Sequence, residues 1–483
     1  MKKFLSIFLS IFLIISLFNV NCFAQNNNEI KGNLVIVGGA LRSSNSEVYN
    51  KFIQLAGGKE NAKIGIIPAA SSKPVFYANE FKKDLIMYGV PQDKIEIIPI
   101  AVKNDKTTPD VDESTWLKNG DNPEIARKIK EFTGIWFVGG DQTRITQTLI
   151  RQDGSNTLVL DALWEIYKNG AVLGGTSAGA AIMSNPMFAG GSSLEALKYG
   201  ITDKYTTQEG GPACLVKGLG FFPHGLIDQH FNGKGRFGRL LVAAYEIGSS
   251  LSFGVDEDSA LVYYGKEQLI EAIGLNGVTI FDLSRASKNK SQKLFNINNA
   301  IVHYIDKGDK FNPITREFII NPKKELTNGY EYYEIKNPIS TGIFERDATT
   351  TLMTKYLVDN YNVNKAVGYA FDNDGIGFEF TFIKDNNTKG YWAYIDGNVD
   401  HYAAINVILN VKPIKVEIKE YNEKQPPKKA EEIKSEKYVI LKPGDSLQVI
   451  AKQLKIKLED ILRLNKITNI KNINPWTLIK IPN

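Results

Sequence analysis

The sequence predicts an α/β protein with a mostly parallel β-sheet flanked by helices, followed by a β-rich accessory region and a small α+β module. Three observations predict this order. From residue 33 to 285, short apolar runs alternate with amphipathic stretches, which is typical of a parallel sheet covered by helices. From about 290 to 420, aromatic and β-branched runs are separated by Asn, Gly and Asp. Beyond residue 436, the pattern is a strand, two helices and a closing strand.

The elements of the first region can be placed individually from their apolar patterns. Strands are predicted at 34–37, 64–68, 95–99, 135–138 and 171–173. Helices are predicted at about 46–57, 75–88, 123–132, 143–151, 157–168 and 236–247. Three glycine pairs end strands: Gly38-Gly39, Gly139-Gly140 and Gly174-Gly175. Open α/β sheets bind ligands at the carboxyl edge of their strands, so these turns predict a site there. A nucleotide loop is not predicted, because G-x-G-x-x-G is absent.

One serine lies on a predicted turn between a strand and a helix. The pentapeptide Gly175-Thr176-Ser177-Ala178-Gly179 follows the apolar run 171–173 and precedes a predicted helix. Such a turn exposes the serine hydroxyl, and small neighbours let a substrate carbonyl approach the backbone. The N–H groups at the start of the helix favour a developing oxyanion. This context predicts that Ser177 is a nucleophile, although similar pentapeptides also occur in ordinary turns.

A serine nucleophile needs a base, and the chain has four histidines: His224, His230, His303 and His401. His230 lies in the polar, basic segment 228–239, which predicts a surface loop entering a helix at about Arg236. His224 lies in a turn with apolar flanks, which favours a packed structural role. Histidine is the usual base near neutral pH, and the charged neighbours favour His230 in that role.

Four motifs together carry a family resemblance. They are 174–180 (GGTSAGA), 139–142 (GGDQ), 228–231 (DQHF) and 254–258 (GVDED). In this order they resemble cyanophycinases, serine peptidases related to dipeptidase E with a fold like the class I glutamine amidotransferases. The resemblance covers roughly residues 32–285, extending to about 320. It implies cleavage of cyanophycin, a polymer with an aspartate backbone and arginine on each side-chain carboxylate, into β-aspartyl-arginine dipeptides.

The resemblance also implies a catalytic arrangement. Ser177 would attack the backbone carbonyl, and His230 would accept its proton and return it to the leaving amine. The backbone N–H groups of Gly140 and Ala178 are expected to hold the oxyanion. Glu195 lies at about the position where the family carries an acid after the nucleophile, so it is predicted to orient His230. Asp203 and Glu209 remain competitors, and Glu195 could instead be a solvated surface acid.

Substrate-binding residues are predicted in the same way. Three polar residues match pocket residues of the family and offer acceptors for a substrate guanidinium: Gln142, Asp228 and Gln229. Three cations are expected to meet the free carboxylates of the polymer: Lys234, Arg236 and Arg239. Lys234 departs from the Arg that cyanophycinases usually carry, which weakens the expectation of strict polymer specificity. Each cation could instead lie on a solvated helix face. No cofactor and no metal are predicted.

The amino terminus predicts export. Lys2 and Lys3 precede an apolar run from Phe4 to Val20 and a small-residue cleavage site at Ala24, so residues 1–24 are predicted to be a signal peptide. Lipidation of Cys22 and an uncleaved anchor remain alternatives. After cleavage, Cys214 would be the one cysteine left, so no internal disulfide is expected, and a packed thiol is predicted. The formal charge of +5 falls to +3 without the two lysines, which does not indicate nucleic-acid binding.

The carboxyl-terminal part predicts a tethered binding module. The Pro- and Lys-rich segment 422–435 has no apolar pattern and is predicted to be a linker. Residues 436–483 resemble a LysM domain, with the departure that Trp476 stands where that family usually carries Gly. The resemblance implies binding of N-acetylglucosamine glycans, and peptidoglycan is the glycan expected here. The alternative is a cap that merely packs on its neighbour.

These observations combine into a domain order and a function. We expect a signal peptide (1–24), a cyanophycinase-like serine peptidase domain (25–320), an accessory β-rich region (321–421), a linker (422–435) and a LysM domain (436–483). The predicted protein is secreted, extracellular or wall-associated, degrades cyanophycin, and could form a homodimer. Two alternatives stay open: a serine peptidase acting on other aspartyl or cell-wall peptides, and a non-catalytic wall-binding protein.

Overall fold

A computed structural model describes residues 30–205, 207–417, 437–441, 446–465, 467 and 478–481. The chain divides into two compact units, Met1–Val416 and Glu417–Asn483. The predicted signal peptide and the predicted linker lie outside the described residues. Among the helices that are described, none has the length and apolar character needed to cross a lipid bilayer.

The elements of the first unit agree closely with the predicted pattern. Its strands are β1 (Asn33–Val37), β2 (Ile64–Ile67), β3 (Ile95–Ile97), β4 (Gly134–Phe137), β5 (Val172–Thr176), β6 (Met187–Gly190), β7 (Ile201–Thr202), β8 (Ala213–Val216), β9 (Leu226–Asp228), β10 (Leu251–Val255), β11 (Ser259–Tyr264), β12 (Leu269–Gly274), β13 (Gly277–Asp282), β14 (Ile297–Asp306), β15 (Lys310–Phe311), β16 (Phe318–Ile319), β17 (Glu325–Leu326), β18 (Ile339–Ser340), β19 (Lys365–Phe371), β20 (Ile376–Ile383), β21 (Lys389–Ile395) and β22 (Val399–Lys415). Its helices are α1 (Ser46–Leu55), α2 (Pro74–Met87), α3 (Pro123–Ile129), α4 (Gln142–Leu149), α5 (Leu158–Lys168), α6 (Ala178–Ala181), α7 (Ser193–Tyr199), α8 (Phe237–Glu246) and α9 (Ala348–Met353). Short 3₁₀ segments span Gln92–Lys94 and Glu113–Asp121, and a π-helical turn spans Thr354–Val358.

The larger α/β layer is a mixed sheet with the strand order β16-β15-β12-β11-β1-β5-β4-β2-β3. The five strands from β1 to β3 in this order are parallel, and β11, β12, β15 and β16 extend the sheet with antiparallel pairs. Side chains of β1 alternate between two apolar cores: Leu34 and Ile36 join one, and Val35 and Val37 join the other. Both faces of β1 are therefore covered, as expected for a strand inside a parallel sheet.

A second sheet contains the accessory β-rich strands and also strands of the peptidase region. Its order is β18-β19-β20-β22-β14-β13-β10-β9, with β21 and β17 joined through β22. β9 and β10 are parallel neighbours, and β10 continues into the antiparallel series β13, β14 and β22. The predicted division between 25–320 and 321–421 is therefore not a division between compact units. Strand pairing between β14 and β22 joins the two predicted domains, and one apolar core includes α8 and strands of both.

The second unit has the expected order of a strand, two helices and a strand. Its elements are β23 (Lys437–Ile440), α10 (Leu447–Leu454), α11 (Leu458–Leu464) and β24 (Leu478–Ile481). The two strands pair antiparallel, and Leu447, Ile450, Ile461 and Ile479 form its small core. Ser446 caps α10 by accepting a hydrogen bond from Val449 N–H. Trp476 lies outside the described residues.

Candidate active site

Ser177 lies on the sharp turn between β5 and α6, with φ 56° and ψ −106°. These angles are unfavourable for a residue with a side chain, so the surrounding structure must impose them. The Ser177 N–H donates to Val37 O at 3.0 Å, which ties the turn to the end of β1. Gly175 and Gly179 face each other closely across the turn, where a side chain on Gly175 would meet the Gly179 backbone at 2.7 Å. The pentapeptide thus forms the predicted sharp turn between a strand and a helix.

The Gly38-Gly39 turn holds two further loops against this elbow. His230 N–H donates to Gly38 O at 2.6 Å, and Asp258 N–H donates to Gly39 O at 2.8 Å. Successive carbonyls at the end of β1 therefore bind the three loops that meet at the site. Gly39 has φ 118°, and a Cβ there would lie 2.3 Å from the His230 ring. Only glycine permits this approach.

His230 lies between a hydroxyl and a carboxylate. The Ser177 hydroxyl lies 2.9 Å from His230 Nε2, and Nδ1 lies 2.7 Å from Glu257 Oε1. With Nδ1 protonated, His230 donates to Glu257 and can accept the Ser177 proton through Nε2. Burial lowers the pKa of His230 below its ordinary value, while its hydrogen bond to Glu257 opposes this shift. The arrangement favours a neutral imidazole beside the serine.

The prediction that Glu195 orients His230 is corrected by this geometry. Glu195 lies in the first turn of α7, and its backbone N–H is capped by Ser192. Glu257, between β10 and β11, takes the position on Nδ1. The competitor Glu209 is bonded to Lys234 and Arg236 instead, and Asp203 is exposed. Glu257 belongs to the motif 254–258, so the signal was present in the sequence but was not connected to His230.

The second carboxylate oxygen of Glu257 is bound from the β-rich region. Arg346 Nη1 donates to Glu257 Oε2 at 2.9 Å. Burial alone would raise the pKa of Glu257, but hydrogen bonds from His230 and Arg346 outweigh it and hold that pKa below its ordinary value. Glu257 is therefore ionised at neutral pH, with a different cationic or N–H donor on each oxygen. Sequence reasoning assigned no function to the region that contains Arg346.

Asp228 and Arg239 do not occupy the positions expected of substrate-binding residues. Asp228 is fully buried and accepts hydrogen bonds from Arg239 Nε at 2.8 Å and Nη2 at 2.6 Å. Arg239 is also buried, and its Nη1 donates to Gly191 O at 2.7 Å. Asp228 and Arg239 thus satisfy each other, with Arg239 at the wall of the pocket that contains Ser177 and His230. The predictions of a free guanidinium acceptor at Asp228 and a carboxylate-binding cation at Arg239 are corrected to a buried structural ion pair.

Other predicted binding residues do surround a pocket beside Ser177 and His230. It is lined by Gly140, Gln142, Ser177, Ala189, Gly190, Gln208, Glu209, Gln229, His230, Lys234, Arg236 and Arg239. Lys234 donates to Glu209 Oε1 at 2.6 Å, and Arg236 Nη2 donates to both Glu209 oxygens at 3.2 and 3.3 Å. Burial lowers the pKa of Arg236 to about 10, so it stays protonated at neutral pH. The pocket is strongly polar and contains charges of both signs.

Two buried polar atoms of this pocket have no hydrogen-bond partner in the described structure: Gln229 Oε1 and Arg236 Nε. Gln142, the first residue of α4, donates through Nε2 to Phe188 O at 2.7 Å, which leaves its Oε1 as the acceptor. Buried polar groups are normally paired, so unpaired ones beside a pocket indicate a site for a polar ligand. These residues support the predicted location of the site.

The two predicted oxyanion donors also lie here. Ala178 begins α6 directly after Ser177, and Gly140 lines the pocket. Within the described ranges, neither backbone N–H has a hydrogen-bond acceptor. Gly140 has φ 141°, and a Cβ there would lie 2.2 Å from Ala70 O, so the loop requires glycine. Both amides remain available to a ligand oxygen.

The remaining histidines and the cysteine lie in packed surroundings. His224 Nε2 lies 3.0 Å from the Tyr263 hydroxyl, and burial lowers its pKa to about 4. His303 and His401 are buried; His303 Nδ1 accepts from Asn406 N–H, and His401 Nδ1 lies 3.1 Å from Asp306. Cys214 is buried, and burial raises the pKa of its thiol. The predicted structural role of His224 agrees with these contacts.

Comparisons with known proteins identify both parts of the chain. Residues 34–270 match the family model of Peptidase family S51, and residues 439–482 match that of the LysM domain. A cyanophycinase of Geminocystis herdmanii is 30% identical over 295 residues, covering 60% of this chain and 96% of that protein. A cyanophycinase of Trichormus variabilis is 27% identical over 284 residues, covering 58% and 84%. A crystal structure of a peptidase from an acI-B1 actinobacterium aligns with a TM-score of 0.37 and 22% identity, covering 52% of this chain and 91% of its own.

The predicted resemblance to cyanophycinases and to a LysM domain is thereby confirmed. Similarity to the Geminocystis protein extends over nearly all of that relative. The α/β sheet flanked by helices, the β-rich strands and the small carboxyl-terminal unit agree with the predicted fold class. The chain belongs to peptidase family S51 and is a cyanophycinase-like serine peptidase with a carboxyl-terminal LysM domain.

Proposed function

We propose that this peptidase hydrolyses cyanophycin outside the cytoplasm, releases β-aspartyl-arginine dipeptides, and is held at the cell wall by its LysM domain. The observation that carries the proposal is the connected series Ser177–His230–Glu257 beside a pocket with charges of both signs. The cyanophycinase relatives supply the substrate class. A polymer of alternating carboxylate and guanidinium groups requires acceptors and cations in the same pocket.

In the proposed first step, Ser177 Oγ attacks a backbone carbonyl of the polymer. His230 Nε2 takes the hydroxyl proton as the new C–O bond forms, and it then gives that proton to the leaving amine as the C–N bond breaks. Glu257 accepts the hydrogen bond from Nδ1–H, which fixes the tautomer and compensates the charge of the imidazolium. A water molecule then releases the acyl group by the same proton transfers. The neutral imidazole that burial favours is the form needed to begin.

The developing negative charge on the carbonyl oxygen needs donors that are already in place. We propose that the N–H groups of Gly140 and Ala178 supply them, since both lie beside Ser177 and lack other acceptors in the described structure. Donors of this kind stabilise a transition state strongly because they do not need to reorganise.

Substrate recognition is proposed to use the unpaired polar groups of the pocket. Oxygens of Gln142 and Gln229 would accept from the substrate guanidinium, and Lys234 and Arg236 would bind a substrate carboxylate. Glu209 already engages both cations, so a substrate carboxylate would compete with it. This competition supports a peptidase that discriminates among acidic peptides. The same observation favours the second candidate, which is an enzyme that acts on other aspartyl peptides.

Incubation of the purified protein with insoluble cyanophycin tests the proposed substrate. We expect soluble β-aspartyl-arginine, identified by mass spectrometry, and no product from Ser177→Ala. Parallel incubations with short aspartyl peptides and with wall peptides separate the candidates. Turnover of those peptides without release of dipeptide from the polymer would contradict the cyanophycin assignment and leave the second candidate.

Wall attachment has a separate test. Truncation before Tyr438 removes the LysM domain and leaves the first compact unit intact. We expect the truncated protein to hydrolyse soluble substrate at the rate of the full chain and to lose sedimentation with purified peptidoglycan. Equal sedimentation of the two proteins would contradict the proposed wall-binding role.

A further inference from the structure

A short segment of the β-rich region, 344–350, contacts the loop that carries His230. We call it the brace. Thr349 Oγ1 donates to Asn232 Oδ1 at 2.8 Å, and Asn232 Nδ2 donates to Thr350 Oγ1 at 2.6 Å. Phe344 lies so close to Gly235 that a Cβ on this glycine would meet the Phe344 carbonyl oxygen at 2.1 Å. The brace therefore fixes the loop just after His230.

The same segment reaches the acid of the catalytic series. Arg346 Nη1 binds Glu257 Oε2 at 2.9 Å, while Glu257 Oε1 binds His230 Nδ1 at 2.7 Å. One carboxylate is thus held by a donor on each oxygen. A carboxylate bound at both oxygens loses the freedom to rotate away from the imidazole. The peptidase family model ends at residue 270, well before Arg346.

We propose that Arg346 is a positioning residue of the peptidase, by which the β-rich region orients Glu257 toward His230. This inference rests on the proposed function of the Ser177–His230–Glu257 series. It gives the region beyond the family match a part in catalysis, in addition to its part in the fold. The β-rich region then acts on the reaction through the ion pair of Arg346 with Glu257.

The solvent exposure of Arg346 and Glu257 determines how strongly their ion pair can affect catalysis. The Arg346 side chain is 60% exposed and that of Glu257 is 19% exposed. Water screens such a pair, so its contribution is smaller than that of a buried one. The guanidinium group nevertheless offers a planar, directional donor that a carboxylate recognises well. A moderate, measurable effect on catalysis is expected rather than a loss of activity.

The charged groups around this series determine the sign of the electrostatic effect. His230 faces Glu257, Arg236 and Lys234, whereas Arg346 faces Glu257, Asp347 and Asp256. The charge of Arg346 offsets part of the negative charge that Glu257 presents to His230. Without it, the protonated imidazole becomes more favourable, so His230 stays protonated to higher pH. The acid limb of the pH profile is the range in which kcat/KM falls as His230 takes up a proton. Removal of Arg346 should therefore move this limb to higher pH.

The test compares pH profiles of kcat/KM for wild type, Arg346→Gln, Arg346→Lys and the control Lys336→Gln. Lys336 is an exposed cation of the same region, outside the brace. For Arg346→Gln we expect an about two- to fivefold lower kcat/KM at neutral pH and an acid limb about 0.2–0.7 pH unit higher. Arg346→Lys keeps the charge, so its limb should stay near that of wild type. Lys336→Gln should match wild type.

A second comparison asks whether Arg346 acts through Glu257. In a Glu257→Gln background, Arg346→Gln should cause no further loss, because the carboxylate it orients is gone. If Arg346→Gln lowered kcat/KM by the same factor in the Glu257→Gln background as in wild type, the proposal would be overturned. An acid limb that stays at the wild-type pH in Arg346→Gln would also overturn the proposal, even if kcat/KM were lower by the same factor at every pH. Circular dichroism of every variant across the same pH range checks that each stays folded, because acid unfolding of a destabilised variant would also raise the limb.

The inference and the proposed function fail in different experiments. Full activity of Ser177→Ala would overturn the proposed function. Inactive Ser177→Ala together with a wild-type pH profile of Arg346→Gln would overturn the positioning role alone.

Discussion

The two sheets contribute different parts of the site. The parallel half of the first sheet supplies Ser177 from the turn after β5 and Gly140 from the turn after β4. The second sheet supplies His230 after β9 and Glu257 after β10. Because β9 and β10 are parallel neighbours, the loops that leave their carboxyl ends lie side by side. The proposed nucleophile and its proposed base thus meet where the two sheets approach each other at the end of β1.

This comparison teaches that a residue's distance along the chain is a poor guide to its partner. Glu195 follows the nucleophile more closely, but α7 directs it elsewhere. Glu257 is brought to His230 by strand pairing that connects separate parts of the sequence. If the first sheet supplies Ser177 and the second supplies His230 and Glu257, substitutions in the two sheets should have the following effects, from the largest to the smallest.

Loss of the nucleophile should have the largest effect. Ser177→Ala should lower kcat at least about a thousandfold, as expected when a covalent nucleophile is removed. Its melting temperature should stay close to that of wild type, because the turn keeps its backbone contacts. Steady-state kinetics and calorimetry check the two statements. Turnover near the wild-type rate would contradict the role of the first sheet.

The acid supplied by the second sheet should rank next. Glu257→Gln should lower kcat by about 10²- to 10⁴-fold, because an amide neither compensates the imidazolium charge nor fixes the tautomer. The matched control Glu195→Gln should keep kcat within about twofold of wild type, since Glu195 does not contact His230. The reverse ranking of the two variants would return the role to Glu195.

Much of the first sheet could be predicted from the sequence, and the reason is local. Each strand from β1 to β5 is a short apolar run that ends in a turn, and helices such as α2 and α5 begin and end close to the predicted residues. Ser177 could be found because its motif is contiguous. The glycine turns at 38–39 and 139–140 could be found for the same reason. Local sequence patterns carry this information directly.

The second sheet was harder to predict, because its function depends on pairing between distant strands. The sequence indicates β-rich character beyond 290, but it does not show that β22 pairs with β14 of the predicted peptidase domain. The prediction that Arg239 binds a substrate carboxylate is wrong, because the residue is buried and paired with Asp228. Its burial depends on Asp228, which lies on β9 and accepts hydrogen bonds from Arg239 Nε and Nη2.

The buried ion pair gives a stability test of that correction. Arg239→Ala leaves Asp228 buried without its main partner, so the free energy of unfolding should fall by about 3–5 kcal/mol. Lys234→Ala, which removes a partly exposed cation of the same segment, should change it by no more than about 0.5 kcal/mol. Chemical denaturation measures both. Equal small changes would show that the buried pair of Arg239 and Asp228 is not structural.

The smallest expected effect concerns pH. Burial lowers the pKa of His230 below the ordinary value of about 6.5, so the neutral form persists into mildly acidic solution. The acid limb of kcat/KM should therefore lie below about pH 6.5, since activity is lost only when the imidazole takes up a proton. A wild-type profile measured at constant ionic strength checks this. A limb above that value would indicate that Glu257 outweighs burial.

The central claim is that the first sheet provides a nucleophile that a base and an acid from the second sheet activate. Labelling with a fluorophosphonate, followed by peptide mass mapping, tests it most directly, because the reagent reacts with an activated serine. We predict one adduct, on Ser177, that forms quickly in wild type and Glu195→Gln and much more slowly in His230→Ala and Glu257→Gln. An adduct on another serine, or equal labelling rates in all four proteins, would contradict the account.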